Sequence, residues 1–81
     1  MKILAKYISG AEQVHNGKCY LIGIQTGNGK AYDMESGGTA STGNLIFDGN
    51  TYASQAILPK PGIECSNGLY VSNDAVIWYS I

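Results

Sequence analysis

Apolar and polar side chains alternate with a period of two over several short runs, and Gly and Asn interrupt them at spacings of about eight to twelve residues. Lys2 to Ile8 sets Lys2, Leu4 and Lys6 against Ile3, Ala5 and Tyr7, the pattern of a half-exposed strand. Its lysines discourage pairing with other chains, which predicts an edge. Ser9 to Asn16 is polar and ends at Asn16-Gly17, a turn signal because both residue types tolerate positive φ. Cys19 to Gln25 reads as the next strand, Gly27-Asn28-Gly29 as a turn, Lys30 to Met34 as a short strand, and Ser36 to Asn44 as a surface loop of small polar residues. Leu45-Ile46-Phe47 predicts a strand, Asp48-Gly49-Asn50 its hairpin turn, and Thr51 to Leu58 the returning partner. Pro59 and Pro61 cannot donate to a ladder, so Leu58-Pro59-Lys60-Pro61-Gly62 reads as a crossing or an edge. Ile63 to Cys65, Gly68 to Val71 and Ala75 to Ile81 supply the last strands. The expected fold is all-β: an antiparallel β-sandwich of 7-8 short strands, jelly-roll or immunoglobulin-like, in a single domain over residues 1–81.

Two strands carry more apolar surface than one wet face explains. Cys19-Tyr20-Leu21-Ile22 and Ala75-Val76-Ile77-Trp78-Tyr79 are apolar at successive positions, so both of their faces need cover. If Cys19, Leu21, Ile77 and Tyr79 point inward with Leu69 and Val71, then Tyr20, Ile22, Tyr70, Val76 and Trp78 form the other face and the candidate interface. A register error of one residue exchanges the two sets, and sequence does not choose between them. Full burial of a Trp- or Tyr-sized side chain is worth about 2 to 3 kcal/mol, against about 0 to 1 for a surface ion pair. Association is the favoured cover; the competing one is a loop such as Ser36 to Asn44 folded over the patch.

Charge and composition remove other classes. Five Lys, no Arg and six acids leave a net charge of −1, with no concentrated positive field to hold nucleic acid. Met1 to Lys6 is too short an apolar start for a signal peptide or a spanning helix, and no run of about 18 apolar residues follows, so neither export nor a membrane is expected. No Asn heads a glycosylation sequon, and Cys19 and Cys65 lie in apolar strands. Two buried free thiols are therefore expected, with one disulfide as the alternative.

Catalytic chemistry has little to stand on. His15 is the single histidine, beside a turn, where solvation is the ordinary state, and no third group is evident to orient a Cys-His pair. Asp33 and Glu35 would share a strand face, and Asp48 and Asp74 sit in turns without calcium-loop spacing. Gly27-Asn28-Gly29-Lys30-Ala31 fails as a phosphate loop, which needs Gly where Ile24 stands and Ser or Thr where Ala31 stands. It fails as a dinucleotide fingerprint as well, because Tyr32 occupies the third glycine. No catalytic residue, cofactor or metal is expected. The six tyrosines and Trp78 suit strand packing, a protein interface or sugar stacking.

The order of landmarks resembles small β-sandwich virion proteins of tailed bacteriophages. The matching pieces are Lys18-Cys19-Tyr20-Leu21-Ile22-Gly23-Ile24, Ala31-Tyr32-Asp33, Ser41-Thr42-Gly43, Leu58-Pro59-Lys60-Pro61-Gly62-Ile63, Asn67-Gly68-Leu69-Tyr70-Val71 and Ala75-Val76-Ile77-Trp78-Tyr79. Each piece alone is an ordinary turn or strand; their order carries the likeness. The lysine-bearing first strand and Trp78 depart from the pattern. The resemblance implies a non-enzymatic structural protein, a capsid decoration or cement subunit or a head-neck accessory. Such a protein is made in the host cytoplasm and bound in the virion to copies of itself and to capsid, neck or tail proteins. The alternative is a carbohydrate-binding, host-adhesion module that uses exposed aromatics.

Overall fold

Runs of β-branched and aromatic residues separated by Gly, Asn and Asp favour short strands over helices. The computed structural model describes residues 2–49 and 55–81, and among these it has nine strands and no helix. They are β1 (Ile3–Ile8), β2 (Glu12–Asn16), β3 (Cys19–Thr26), β4 (Lys30–Tyr32), β5 (Leu45–Asp48), β6 (Gln55–Ile57), β7 (Ile63–Cys65), β8 (Gly68–Val71) and β9 (Ala75–Ser80). The first sheet runs β1-β9-β3-β6 with β7 also beside β3; the second runs β2-β8-β4-β5, and every pairing is antiparallel. The expected antiparallel β-sandwich is what forms.

Inward residues of both sheets meet in one core. Ile8, Leu21, Ile24 and Ile77 from the first sheet pack with Ala31, Leu69 and Val71 from the second, all with at most 1% of their surface exposed. Each fully buried Leu, Ile or Val contributes about 1.5–3 kcal/mol, so this cluster is the main stabilising term.

The described part of the strand expected to return from Asp48-Gly49-Asn50 does not pair with β5. β5 pairs with β4 in the second sheet, while β6 pairs with β3 in the first. Asn50 and residues 51–54 lie outside the described residues. Asp48-Gly49 is a true turn signal, but turn chemistry encodes a reversal and not the strand that receives it. The Gly49 N–H donates to the Gly29 carbonyl (2.9 Å), on the neighbouring crossing between sheets. The chain changes sheet after β1, β2, β3, β5, β7 and β8, and among the described strands only β4 and β5 are both consecutive and paired. Asn16-Gly17 is one of these crossings, with Gly17 at φ 91°.

The ninth strand is β2, inside a stretch that its polarity marked as non-strand. It forms because its polar groups find partners at the edge of the second sheet. Gln13 Nε2 donates to the carbonyls of Met34 (2.8 Å), His15 (2.9 Å) and Leu69 (3.2 Å). A bulge between Gln13 and His15 breaks the period of two that identifies a strand.

Leu58 to Gly62 interrupts an edge. β6 and β7 both pair with β3, one on each side of the proline segment. The Leu58 N–H still reaches the Ile22 carbonyl (2.8 Å). Gly62, at φ 92°, lies so close to the Leu21 carbonyl that a side chain there would collide with β3.

Candidate docking face

Register settles which face each strand turns outward. Leu21, Ile77 and Tyr79 are buried, so Tyr20, Val76 and Trp78 point away from the core. Cross-strand pairing arranges the outer side chains of the first sheet in three rows. Ala5, Trp78, Gly23 and Ile57 form the central row; Tyr7, Val76, Gln25 and Gln55 form the second; Ile3, Ser80, Tyr20 and Glu64 form the third. Small residues on both sides of Trp78 leave room for its indole to lie across the sheet. A Cβ placed on Gly23 would sit 3.3 Å from Trp78 Cε3.

This face is open and nearly free of charge. Ile57 is 91% exposed, Tyr7 68%, Ile3 55% and Trp78 38%. Among the described outward strand positions, only Glu64 carries a charge. It lies at the rim, 3.9 Å from Lys18, whose ammonium stands 5.8 Å from the centre of the Tyr20 ring. Contiguous exposed apolar side chains with a polar rim are the usual mark of an interaction surface. Ser80 differs from its row: it is fully buried, and its Oγ has no hydrogen-bond partner among the described residues.

The five residues singled out from sequence do not form one patch. Tyr20, Val76 and Trp78 share the outer face of the first sheet. Ile22 is half-buried at the bulge between Leu21 and Gly23 and belongs to none of the three rows. Tyr70 is in β8 on the opposite side of the sandwich, where its ring lies 6.1 Å from Tyr32. The two sheets share one core, so side chains directed away from it from β8 and β9 point in opposite directions. Ile3, Tyr7 and Ile57 join the patch instead. The inward set of β1 is Leu4, Lys6 and Ile8, with Lys6 reaching Glu12 of β2 at 2.7 Å across the open seam between sheets.

The surface loop Ser36 to Asn44 does not cover this patch. The Ser36 N–H donates to Asn16 Oδ1 (2.8 Å), and the start of the loop borders a polar groove of about 610 Å³ with Asn16, Glu35, Ser66 and Asn67. Asp33 has a structural task beside that groove. Its carboxylate accepts the backbone N–H groups of Asn67 (2.9 Å), Ser66 (3.1 Å) and Gly68 (3.4 Å), fixing the β7–β8 turn. It does not share a strand face with Glu35, because β4 ends at Tyr32.

His15 is not a solvated turn residue. It is half-buried in β2, with its ring centre 6.0 Å from that of Tyr79. Cys19 and Cys65 are free, fully buried and directly opposite each other on β3 and β7. The hydrogen bond from the Cys65 thiol pulls Cys19 below the usual thiol range; donating that bond, together with burial, pushes Cys65 up. Among the described residues no three His, Cys, Asp or Glu side chains converge as a metal site requires.

No protein-family model, curated protein or solved structure matches this chain.

Proposed function

We propose that this chain is a non-enzymatic assembly subunit that docks through the outer face of its first sheet. The observation that carries the proposal is the open, nearly uncharged surface made by Ile3, Tyr7, Ile57, Val76 and Trp78. The sheet edges favour face docking over strand addition. β1 is guarded by Lys6, turned inward onto Glu12, and the opposite edge is broken by Pro59 and Pro61. Side chains of this size contribute about 1.5–3 kcal/mol each when fully buried, and these are already partly covered. Their sum is several kcal/mol, comparable to the cost of association, about 4–15 kcal/mol. A single contact of this kind is weak, whereas a homo-oligomer that met a repeating lattice through several copies at once would gain from multivalency.

That requirement suits the virion role that the resemblance to tailed-phage proteins implies. The assembly we propose is such a particle, with the chain as a capsid decoration or cement subunit, or a head-neck accessory, synthesised in the host cytoplasm. The test is co-sedimentation with phage particles, together with light scattering of the purified protein. Particle-bound or oligomeric protein is expected; a dilute monomer that binds no particle overturns the proposal.

One observation favours a second reading, host adhesion through sugars. Tyr7, Gln25 and Asp74 border a cleft of about 450 Å³, which places an aromatic ring beside an amide and a carboxylate. Glycan binding abolished by Tyr7→Ala or Trp78→Ala with particle assembly intact would favour that function.

A further inference from the structure

Cys19 and Cys65 are direct partners in an antiparallel pair, and both are fully buried. Side chains directly opposite in such a pair have Cβ atoms about 4.5–5.5 Å apart, and a disulfide needs about 3.5–4.5 Å. The Cα spacing of antiparallel partners, about 4.5–5.5 Å, already lies inside the disulfide range. We infer that Cys19 and Cys65 are a site of reversible oxidation, at which a disulfide oxidant of the glutathione class converts two core thiols into a cross-strand bond between β3 and β7.

Access comes through β7. It is a three-residue strand whose described pairing is with β3 alone, and the proline segment precedes it. Short edge strands open locally at a small fraction of the global unfolding free energy. The Asp33 carboxylate holds the backbone immediately after Cys65, so a strand that opens remains tethered at the turn and returns to the same register.

Opening of β7 uncovers Cys19 on β3, which β9 still holds, so Cys19 is the attacking thiol. Cys19 Sγ attacks one sulfur of oxidised glutathione, breaking its S–S bond and expelling one glutathione thiolate. Cys65, after losing its proton, attacks Cys19 Sγ of the mixed disulfide, forming the Cys19–Cys65 bond and expelling the second glutathione thiolate. The two cysteine protons end on two glutathione thiols, and two electrons pass from the cysteine pair to the oxidant. The bond pins the interrupted edge of the first sheet independently of whatever docks on the outer face.

The test is thiol-disulfide equilibrium of the purified chain against reduced and oxidised glutathione, read by mass and by thiol counting, in buffer and in urea. A native cross-link that stabilises the fold as natural disulfides do requires the equilibrium constant to be about 30- to 1000-fold larger in the folded chain than in the unfolded one. The oxidised chain should be monomeric in its covalent structure, free of glutathione and higher in Tm by on the order of 10 °C. An unchanged or smaller constant in the folded chain overturns the inference. So does a persistent glutathione adduct or a covalent dimer.

Discussion

The two outer faces of the sandwich are built from similar residue types and differ in how their polar groups are used. On the second sheet Tyr32 and Tyr70 lie together, Lys30 is 3.9 Å from Asp48, and Gln13, opposite Tyr70, spends its amide on three carbonyls. On the first sheet Trp78, Tyr7 and Ile57 lie in adjoining rows with no ion pair among them, and the charges stand at the rim. An isolated exposed apolar residue is ordinary, since much of any protein surface is apolar. What distinguishes the first face is contiguity without charge. A partner can cover it without desolvating an ion, whereas covering the second face means removing the half-exposed Lys30 ammonium, beside Asp48, from water.

Placing a charge on each face in turn gives the largest expected contrast. Trp78→Glu should weaken docking or self-association at least about 100-fold, because it removes a central aromatic and buries an unpaired carboxylate. Tyr70→Glu should leave the same binding curve within about twofold, since Tyr70 faces the other way. Sedimentation velocity of both variants checks this, with thermal melts to confirm folding. Equal losses in the two variants would break the contrast between faces.

A smaller effect tests how the third row of the first sheet is packed. Ser80 is fully enclosed, its Oγ has no hydrogen-bond partner among the described residues, and an unsatisfied buried hydroxyl costs about 1–3 kcal/mol. Ser80→Ala should therefore raise stability by about 1 kcal/mol in urea unfolding, without altering the slope. A loss of stability would mean that the hydroxyl has a partner in solution.

Smaller again is the effect of trimming the patch. Tyr7→Ala and Ile57→Ala should each weaken association about tenfold or less, while changing folding stability by no more than about 0.5 kcal/mol, because both side chains are mostly exposed in the isolated chain. Binding isotherms and denaturation of the same samples separate the two quantities. A large folding defect would assign these residues to the core.

Strand positions were legible because alternation and turn residues are local signals. Most boundaries, such as Cys19–Thr26 and Ala75–Ser80, fall within two residues of those read from the pattern. Destinations and faces were less legible. Asp48-Gly49 announces a reversal equally well whether the chain returns within one sheet or crosses to the other. Tyr70 and Trp78 follow the same inward–outward alternation, yet the crossing between β8 and β9 sends them to opposite sides. Bulges at Gln13/His15, Leu21/Gly23 and Ala31/Tyr32 each shift parity, so a period-two count cannot be carried along those strands. Tyr7 and Ile3 were missed for a different reason. The lysines of the first strand imply that the alternating apolar set faces inward, but Lys6 occupies an inward position by reaching Glu12 at the seam.

That seam gives the smallest expected effect, and it bears on why the face rather than the edge is available for docking. The Glu12 carboxylate accepts a hydrogen bond from Lys6, and this bond together with its charge holds the ammonium above its ordinary value of 10.5. A raised lysine value means that the pair's contribution is complete below the unfolded-state value and is lost as pH rises through the folded-state value. Both side chains are well exposed, so the effect on stability is slight and screened by salt. Lys6→Met should flatten the alkaline limb of the stability curve around and above the ordinary lysine value, with little change near neutrality. The more telling readout is association. An inward lysine guards β1 because a pairing strand would have to pack beside a charge, so Lys6→Met should open a second, edge-to-edge mode that persists in Trp78→Glu. If the double variant remains monomeric, the edge is protected by something other than Lys6, and the contrast rests on the rows of the face alone.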